Sequence, residues 1–148
     1  MKKRTSEPWM PAEEYGRTLP AFTVNLLSAD LARSANFYRE VLGARIVYRD
    51  ADFLALELNG LAFMVHADHA YDHHPWSARL EKERGGRGLG AELRMMGMDP
   101  DAVEARARAH GAAVLQTAQD KPHGWRDTIV SDPDGYAWAV GQATGAGS

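Results

Sequence analysis

Apolar and polar positions in the first half of the chain follow a pattern that predicts strand, helix, strand, strand, strand. Ala21–Ser28 is a strand candidate, and Asp30 after it is a favourable N-cap for a helix. The apolar positions of Leu31–Leu42 recur at helical spacing, and Gly43 is a favourable residue to end that helix. Three short strands are predicted next, at Arg45–Arg49, Phe53–Leu58 and Leu61–Ala67.

The same order returns in the second half of the chain. Leu89–Met96 is predicted as a strand, and Asp99-Pro100 supplies an N-cap and a first-turn proline for a helix over Asp101–His110. The remaining strands are predicted at Ala113–Gln116, Trp125–Ser131 and Tyr136–Gly141, the last two separated by the turn Asp132-Pro133-Asp134-Gly135. The repetition predicts two copies of one βαβββ module.

Five segments follow from this pattern: an N-terminal arm (1–20), a first module (21–67), a connector (68–87), a second module (88–141) and a flexible tail (142–148). The arm is expected to be extended, with Trp9 and Tyr15 tucked onto the domain. A βαβββ module covers one sheet face with its helix and leaves the other face open. We therefore expect an α+β fold, in which two tandem modules form a curved, partly closed mixed sheet around a cavity, with the helices outside.

Composition removes several classes of function. The chain has 148 residues, 17 Lys and Arg against 20 Asp and Glu, and a net charge of −3, so it shows no basic footprint for nucleic acid. It has no cysteine, which excludes disulfides, thiolate metal sites and a catalytic thiol. No apolar run approaches the roughly 18 residues of a membrane span. We expect a cytoplasmic protein whose partner is a small molecule.

Two motifs carry a resemblance to a known family. They are the helix Asp30-Leu31-Ala32-Arg33-Ser34 continuing to Phe37-Tyr38 and Leu42-Gly43, and the closing Asp132-Pro133-Asp134-Gly135-Tyr136 with Arg126 and Trp138. On these residues the chain resembles the vicinal oxygen chelate superfamily of glyoxalases, bleomycin-resistance proteins and extradiol dioxygenases. The resemblance implies the two-module fold and a homodimer. It leaves the reaction open, because this fold supports isomerases, dioxygenases, lyases and metal-free binders.

The resemblance also implies where a metal would be held. Metal-dependent members carry His, Glu or Gln on the first and fourth strands of each module. Carried onto this chain, those positions fall on Thr23, Met64, Glu92 (or its neighbour Ala91) and Ala139. Only Glu92 is a suitable ligand, and one carboxylate does not hold a catalytic metal ion. We therefore expect no cofactor; the alternative is a divalent ion at a displaced site built from His66 and Glu92.

Strand alternation selects the candidate ligand-binding residues. Those expected on the cavity-facing strands are Asn25, His66, Glu92 and Arg94, and those expected in an aromatic lid are Trp76, Trp125 and Arg126. Arg94 is suited to clamping a carboxylate, although pairing with Glu92 is an equally good interpretation. The tryptophans are suited to stacking on a planar ligand, or to packing at a module junction or dimer interface. The candidates for proton transfer are His66 and His123.

These residues favour one function and leave others open. The first hypothesis is a metal-free protein that binds a small polar or aromatic organic molecule in its cavity. The alternative is an enzyme of the same superfamily, a lyase, isomerase or dioxygenase, that is metal-dependent or uses a histidine as its proton-transfer group. A third hypothesis is an accessory domain without a ligand.

Overall fold

The computed structural model describes residues 1–80, 82–83 and 85–145. Its strands are β1 (Asn25–Ser28), β2 (Arg45–Arg49), β3 (Phe53–Leu58), β4 (Leu61–Ala67), β5 (Glu92–Met96), β6 (Ala113–Asp120), β7 (Trp125–Ser131) and β8 (Ala137–Ala143). Its helices are α1 (Ala12–Thr18), α2 (Leu31–Glu40), α3 (Ser77–Leu80) and α4 (Pro100–His110), and a 3-10 turn spans Asp68–Tyr71. No helix in these described stretches is long and apolar enough to cross a membrane.

The strands form two four-stranded mixed sheets with the same topology. The order is β1-β4-β3-β2 in the first sheet and β5-β8-β7-β6 in the second. In each sheet the first strand runs parallel to the last strand of its module, and the other pairs are antiparallel. The two predicted βαβββ modules are therefore confirmed, and with them the α+β fold class.

Several predicted boundaries are wrong. The first strand begins at Asn25 rather than Ala21, since Thr23 uses its hydroxyl to bond the carbonyl of Pro20 at 2.8 Å in a local turn. The fifth strand likewise begins at Glu92 rather than Leu89. In contrast, β6 is longer than predicted: it ends at Asp120 rather than Gln116, because shifts in register allow it to continue pairing with β7.

The flanking segments also differ from their predictions. The arm is not wholly extended, because α1 forms within it. The connector contains the 3-10 turn and α3, and the predicted tail begins inside β8, which ends at Ala143. The last three positions of the tail, 146–148, lie outside the described residues.

A single hydrophobic cluster joins the two modules. Tyr38 of α2 meets Phe63 of β4 and Trp138 of β8 edge-on, with ring centres 5.4 and 5.8 Å apart. The cluster also includes buried residues of α4, among them Val103, and α2 contacts α4 directly. Both helices therefore pack on the same cluster, each against one face of its own sheet. The opposite faces, the open faces, carry the polar side chains described below.

The turn before β8 fastens the second module to the first. Asp132 accepts a hydrogen bond from the hydroxyl of Tyr38 at 2.5 Å, and Asp134 accepts from the backbone N–H of Ala29 at 2.9 Å. The Tyr136 hydroxyl donates to the carbonyl of Leu27 at 2.9 Å. Burial raises the pKa of Asp132 to about 6. The residues that carry the family resemblance thus serve to hold the modules together.

Candidate functional site

A cavity of about 430 Å³ lies between the first module and the connector. Its walls come from β1, from the connector and from the turn before β8, and its lining residues are Asn25, Leu27, Trp76, Arg79, Leu80, Glu83, Gly86, Arg87 and Tyr136. This volume lies within the range of sites that hold small organic ligands. We call it the Trp76 cavity.

Arg87 lines this cavity and is held in place by an ion pair and hydrogen bonds. Its side chain is 2% exposed and forms a two-pronged ion pair with Asp68, with both N–O distances at 2.7 Å. The guanidinium also donates to the carbonyls of Leu27 at 3.0 Å and Leu80 at 3.2 Å. Because Asp68 neutralises its charge, Arg87 fixes the connector against β1 rather than offering a free cation to a ligand.

Trp76 forms the aromatic rim of the cavity. Its indole is 58% exposed, which is unusual for so large an apolar group. The ring lies 4.6 Å from His74, whose ring lies 5.4 Å from Tyr71. Arg79 and Glu83, which also line the cavity, add one positive and one negative side chain. The cavity therefore offers a stacking surface with both charge signs at its edge.

His66 and Asn25 form a fixed polar pair beside the cavity. The Asn25 amide donates through Nδ2 to the Tyr71 hydroxyl at 2.9 Å, so its Oδ1 is the acceptor for His66 Nδ1 at 2.7 Å. His66 therefore carries its proton on Nδ1 and presents a lone pair on Nε2. Burial lowers the pKa of His66 to about 4, so the ring is neutral near pH 7.

The arm covers part of the open face of the first module. Trp9 stacks on Tyr48 with ring centres 4.4 Å apart, and both Trp9 and Tyr15 lie 5.9 Å from the ring of Phe53. The next ring in this series is His66, which stacks on Phe53 at 5.2 Å. The aromatic surface of this face is therefore largely covered by the chain itself.

The arm is also held by a buried carboxylate. Asp52 accepts hydrogen bonds from the backbone N–H groups of Lys3 at 2.6 Å and Arg4 at 3.3 Å. His69 Nε2 lies 2.9 Å from the same carboxylate. The pKa of Asp52 is lowered because these bonds to its charged form outweigh the opposing effect of burial.

A second polar set lies on the open face of the second module. Arg94 is hydrogen-bonded to Glu92, and its Cζ lies 4.5 Å from the centre of the Trp125 ring. Asp127, which is buried, lies 3.7 Å from Arg94 Nη2 and 3.9 Å from His123 Nε2. We call these five residues, Glu92, Arg94, His123, Trp125 and Asp127, the Arg94 cluster.

The structure thus divides the predicted ligand-binding residues into groups. Asn25 and Trp76 line the Trp76 cavity with His66 beside it, whereas Glu92, Arg94 and Trp125 belong to the Arg94 cluster. The two tryptophans of the predicted lid therefore make separate sets of contacts. Arg126 belongs to neither group, because it is paired with Asp101 at 2.7 Å and Asp120 at 3.2 Å.

The residues at the implied metal positions do not fit a metal ion. Thr23 precedes β1, and the residue paired with Met64 across the parallel ladder is Asn25. In the second module Arg94, a cation, is paired with Ala139, and Glu92 is committed to Arg94. Within the described ranges, no group of three His, Asp or Glu side chains is arranged to hold an ion.

Sequence reasoning missed two contributors to these sites. Tyr71 orients the Asn25 amide from the 3-10 turn, and its link to β1 spans 46 positions. Asp127 is the carboxylate partner of His123, four residues away; Gly124 between them, at φ 93°, turns the chain so that they meet. Trp9 packs onto the domain as expected, but the surface that it covers, the first open face, depends on contacts about 40 positions distant. Of these contacts, only the one between His123 and Asp127 is close enough in sequence for the spacing of the residues to suggest it.

Comparisons with known proteins agree with this geometry. The sequence model of the Glyoxalase/Bleomycin resistance protein/Dioxygenase superfamily matches residues 21–140. An uncharacterized protein of Mycobacterium bovis is 27% identical over 137 residues, a match that covers 83% of this chain and 83% of that protein.

Solved structures give the same result. A glyoxalase-related enzyme from Fulvimarina pelagi superposes with a TM-score of 0.68 at 25% identity, covering 83% of this chain and 87% of that one. A glyoxalase/bleomycin resistance protein/dioxygenase from Nocardioides superposes with a TM-score of 0.64 at 19% identity, covering 92% and 94%. The second likeness is one of fold alone.

Proposed function

The chain belongs to the glyoxalase/bleomycin resistance protein/dioxygenase superfamily, and we propose that it binds a small aromatic organic molecule without a metal ion. The observation that carries this proposal is the Trp76 cavity, whose volume of about 430 Å³ is bordered by a largely exposed indole. A planar ligand that stacks on Trp76 would cover apolar area now in contact with water.

The donor set supports the metal-free part of the proposal. Divalent ions in such sites need several nitrogen or oxygen ligands that converge on one point. The implied positions instead hold Thr23, Met64 and Ala139, and the remaining one, Glu92, is neutralised by Arg94. His66 is bound to Asn25 through Nδ1, which leaves one nitrogen, and among the described residues it belongs to no group of three His, Asp or Glu side chains that could hold an ion.

The polar groups at the cavity favour a ligand of mixed character. The Tyr71 hydroxyl accepts from Asn25, which leaves its own proton free to donate to a ligand carbonyl or ether oxygen. Arg79 and Glu83 at the edge suit a ligand with both donors and acceptors. We therefore propose a neutral or zwitterionic aromatic compound as the class of ligand.

The test uses the full chain and a neutral probe, 2-naphthamide, measured by isothermal titration calorimetry. We expect binding with about one probe per chain, and a loss of about tenfold in affinity for Trp76→Ala, since a stacked aromatic contact is worth about 0.5–1.5 kcal/mol in addition to the apolar area that it buries. Trp125→Ala is the matched control, because it removes an indole from the other group of residues. Binding that ignores Trp76, or that depends on Trp125, would overturn the proposal.

Two further measurements separate the alternatives. Elemental analysis of protein purified without chelator is expected to show no stoichiometric Zn, Mn, Fe or Ni; one tightly held ion per chain would contradict the metal-free proposal. Recovery of the bound compound unchanged after prolonged incubation distinguishes a binding protein from a lyase, isomerase or dioxygenase.

The proposal includes a homodimer. Large apolar side chains are exposed at Phe22, Leu61, Leu89 and Leu115, which leaves apolar surface for a second copy to cover. Sedimentation equilibrium is expected to give twice the 16.3 kDa mass of one chain, and a mass that stays at one chain at high concentration would remove this part of the proposal.

A further inference from the structure

Most of the hydrogen-bonding capacity of Arg94 is unused. Its guanidinium has five N–H donors, and within the described part of the chain it makes one hydrogen bond, to Glu92. The approach to Asp127, at 3.7 Å, is an ion pair that is too long for a hydrogen bond. The cation is therefore held in place above Trp125 with free donors along its edge.

His123 brings a further polar group to the same place. Its Nε2 lies 3.9 Å from Asp127 Oδ2, and its ring stands perpendicular to that of Trp125 with centres 5.5 Å apart. Arg94 and His123 thus approach one carboxylate oxygen, and neither is close enough for a hydrogen bond to it. Their remaining donors can be shared by an incoming acceptor.

Asp127 is a fixed support for both groups. Its side chain is 4% exposed, and its Oδ1 accepts a hydrogen bond from Gln116 Nε2 at 3.0 Å. The cross-strand neighbours of this set are small, because Gly141 pairs with Asp127 and Ala139 pairs with Arg94. Asp127 is therefore a positioning residue that lies beneath a cation and an indole.

We propose that the Arg94 cluster is a second ligand site, which binds the carboxylate of an aromatic acid. The planar guanidinium of Arg94 matches a carboxylate in two-pronged geometry, and the face of Trp125 is suited to the aromatic ring of the same molecule. This site is separate from the Trp76 cavity and does not depend on the function proposed for it.

Glu92 acts as an internal competitor in this site. Its carboxylate occupies the donors that a ligand would use, and both Glu92 and Arg94 are more than a third exposed, at 36% and 39%. An ion pair at that exposure is weak, because water and salt screen it. A ligand that adds a stacked ring to the same charge interaction therefore displaces Glu92.

The experiment compares 2-naphthoate with its neutral analogue 2-naphthamide by calorimetry on the full chain. We expect naphthoate to bind a site that naphthamide does not occupy, and Arg94→Met to weaken that binding by about tenfold or more, as for the loss of charge-assisted hydrogen bonds. Glu92→Gln is expected to tighten it about two- to fivefold, since removing a weak competing ion pair frees the donors. That gain is a result that a merely structural role for the cluster would not produce.

The controls separate this site from the rest of the molecule. Arg45→Met removes another exposed arginine paired with a glutamate, Glu57, and is expected to leave naphthoate binding unchanged. Arg79→Met tests the edge of the Trp76 cavity. If Arg94→Met fails to fold, Arg94→Lys and Glu92→Gln decide, because both keep a polar side chain at a partly exposed position.

The proposal is overturned if naphthoate and naphthamide bind alike, if the Arg94 variants bind naphthoate as the unmodified chain does, or if Glu92→Gln weakens binding. Sensitivity to Arg79→Met alone would assign the acid to the Trp76 cavity and overturn it as well. Failure of naphthamide to bind would count against the proposed function only, since naphthoate reports on different side chains.

Discussion

The two modules share one backbone plan and carry different chemistry on their open faces. Asn25 lies five residues before the helix N-cap Asp30, and Arg94 lies five residues before the N-cap Asp99, so the two are equivalent positions. Following the ladders from these residues makes Met64 equivalent to Ala139, His66 to Gly141 and Phe53 to Asp127. At these equivalent positions, an aromatic ring and an imidazole in the first module thus correspond to a carboxylate and a glycine in the second.

This difference explains why the arm covers the first face. Apolar rings left in water cost free energy in proportion to their area, and Trp9 and Tyr15 bury Phe53 and Tyr48. In the Arg94 cluster, Glu92, Arg94 and His123 are polar or charged groups that already contact water, so this face gains less from a cover. A duplicated fold can therefore keep one backbone while one face becomes covered by its own chain and the other stays accessible.

The largest expected effect comes from breaking the ion pair that fixes the connector against β1 at the edge of the first face. Arg87→Met leaves Asp68 and the carbonyl of Leu27 without their buried donor, so we expect the free energy of unfolding to fall by about 3 kcal/mol. Arg126→Met is the matched control, since Arg126 makes the same two-pronged pair with Asp101 at a more exposed site, and it should lower the free energy of unfolding much less because water and salt screen that pair. Urea denaturation measures both; equal losses would contradict the assignment of Arg87.

Removing the cover of the first face should have the next largest effect. Trp9→Ala deletes the ring stacked on Tyr48 and is expected to lower the free energy of unfolding by about 2 kcal/mol, less than for a fully buried ring because Trp9 is 39% exposed. Phe22→Ala is the control: it removes an aromatic ring that is 84% exposed, and it should change the free energy of unfolding by less than about 0.5 kcal/mol. Faster hydrogen exchange in β3 for the Trp9 variant alone would place the change on this face.

The free energy of unfolding should depend on pH through two groups that act in opposite directions. One is His66 on the open face of the first module, and the other is Asp132 in the turn that fastens the second module to the first. The pKa of His66 is lowered from 6.5 to about 4, so its contribution is complete above pH 6.5 and is lost as the pH falls toward 4. The pKa of Asp132 is raised from 3.8 to about 6, so the folded state is favoured at low pH and loses that advantage as the pH rises to 6. In the unmodified chain the two slopes oppose each other between pH 4 and 6.

Substituting one of the two groups leaves the pH dependence of stability that the other group produces. His66→Gln should leave stability falling as the pH rises from 4 to 6, and Asp132→Asn should leave it rising over the same range, each by roughly 1–3 kcal/mol. Thermal denaturation at a series of pH values measures both. Parallel profiles for the two variants would show that these groups do not titrate as the structure implies.

The fold was largely predictable because it depends on local patterns. The N-caps Asp30 and Asp99 and the alternating strands define both modules, and the structure confirms them. The start of β1 was not predictable from alternation, since the local bond from Thr23 to Pro20 removes residues that look strand-like.

The candidate site was less predictable because its key contacts join distant segments. Which residue faces Met64 depends on the parallel register, and that register places Asn25 there instead of Thr23. Arg126 looked like a ligand-binding residue beside Trp125, yet successive strand residues point to opposite faces, and its partner Asp101 lies on α4. Sequence can suggest which residues are available for chemistry, but the pairing of strands decides which of them meet.

The smallest expected effect concerns two comparable ion pairs, one on each module. Glu57→Gln breaks the exposed pair with Arg45, and Glu92→Gln breaks the pair with Arg94; each should change the free energy of unfolding by less than about 0.5 kcal/mol, since both pairs are exposed to water. Urea denaturation at low and high salt measures this, and the small difference should shrink as salt rises. A large loss for Glu92→Gln alone would mean that Glu92 is needed to hold Arg94 above Trp125. The two carboxylates would then differ in role as well as in module, and Glu92 would belong to the framework of its face rather than compete for its ligand.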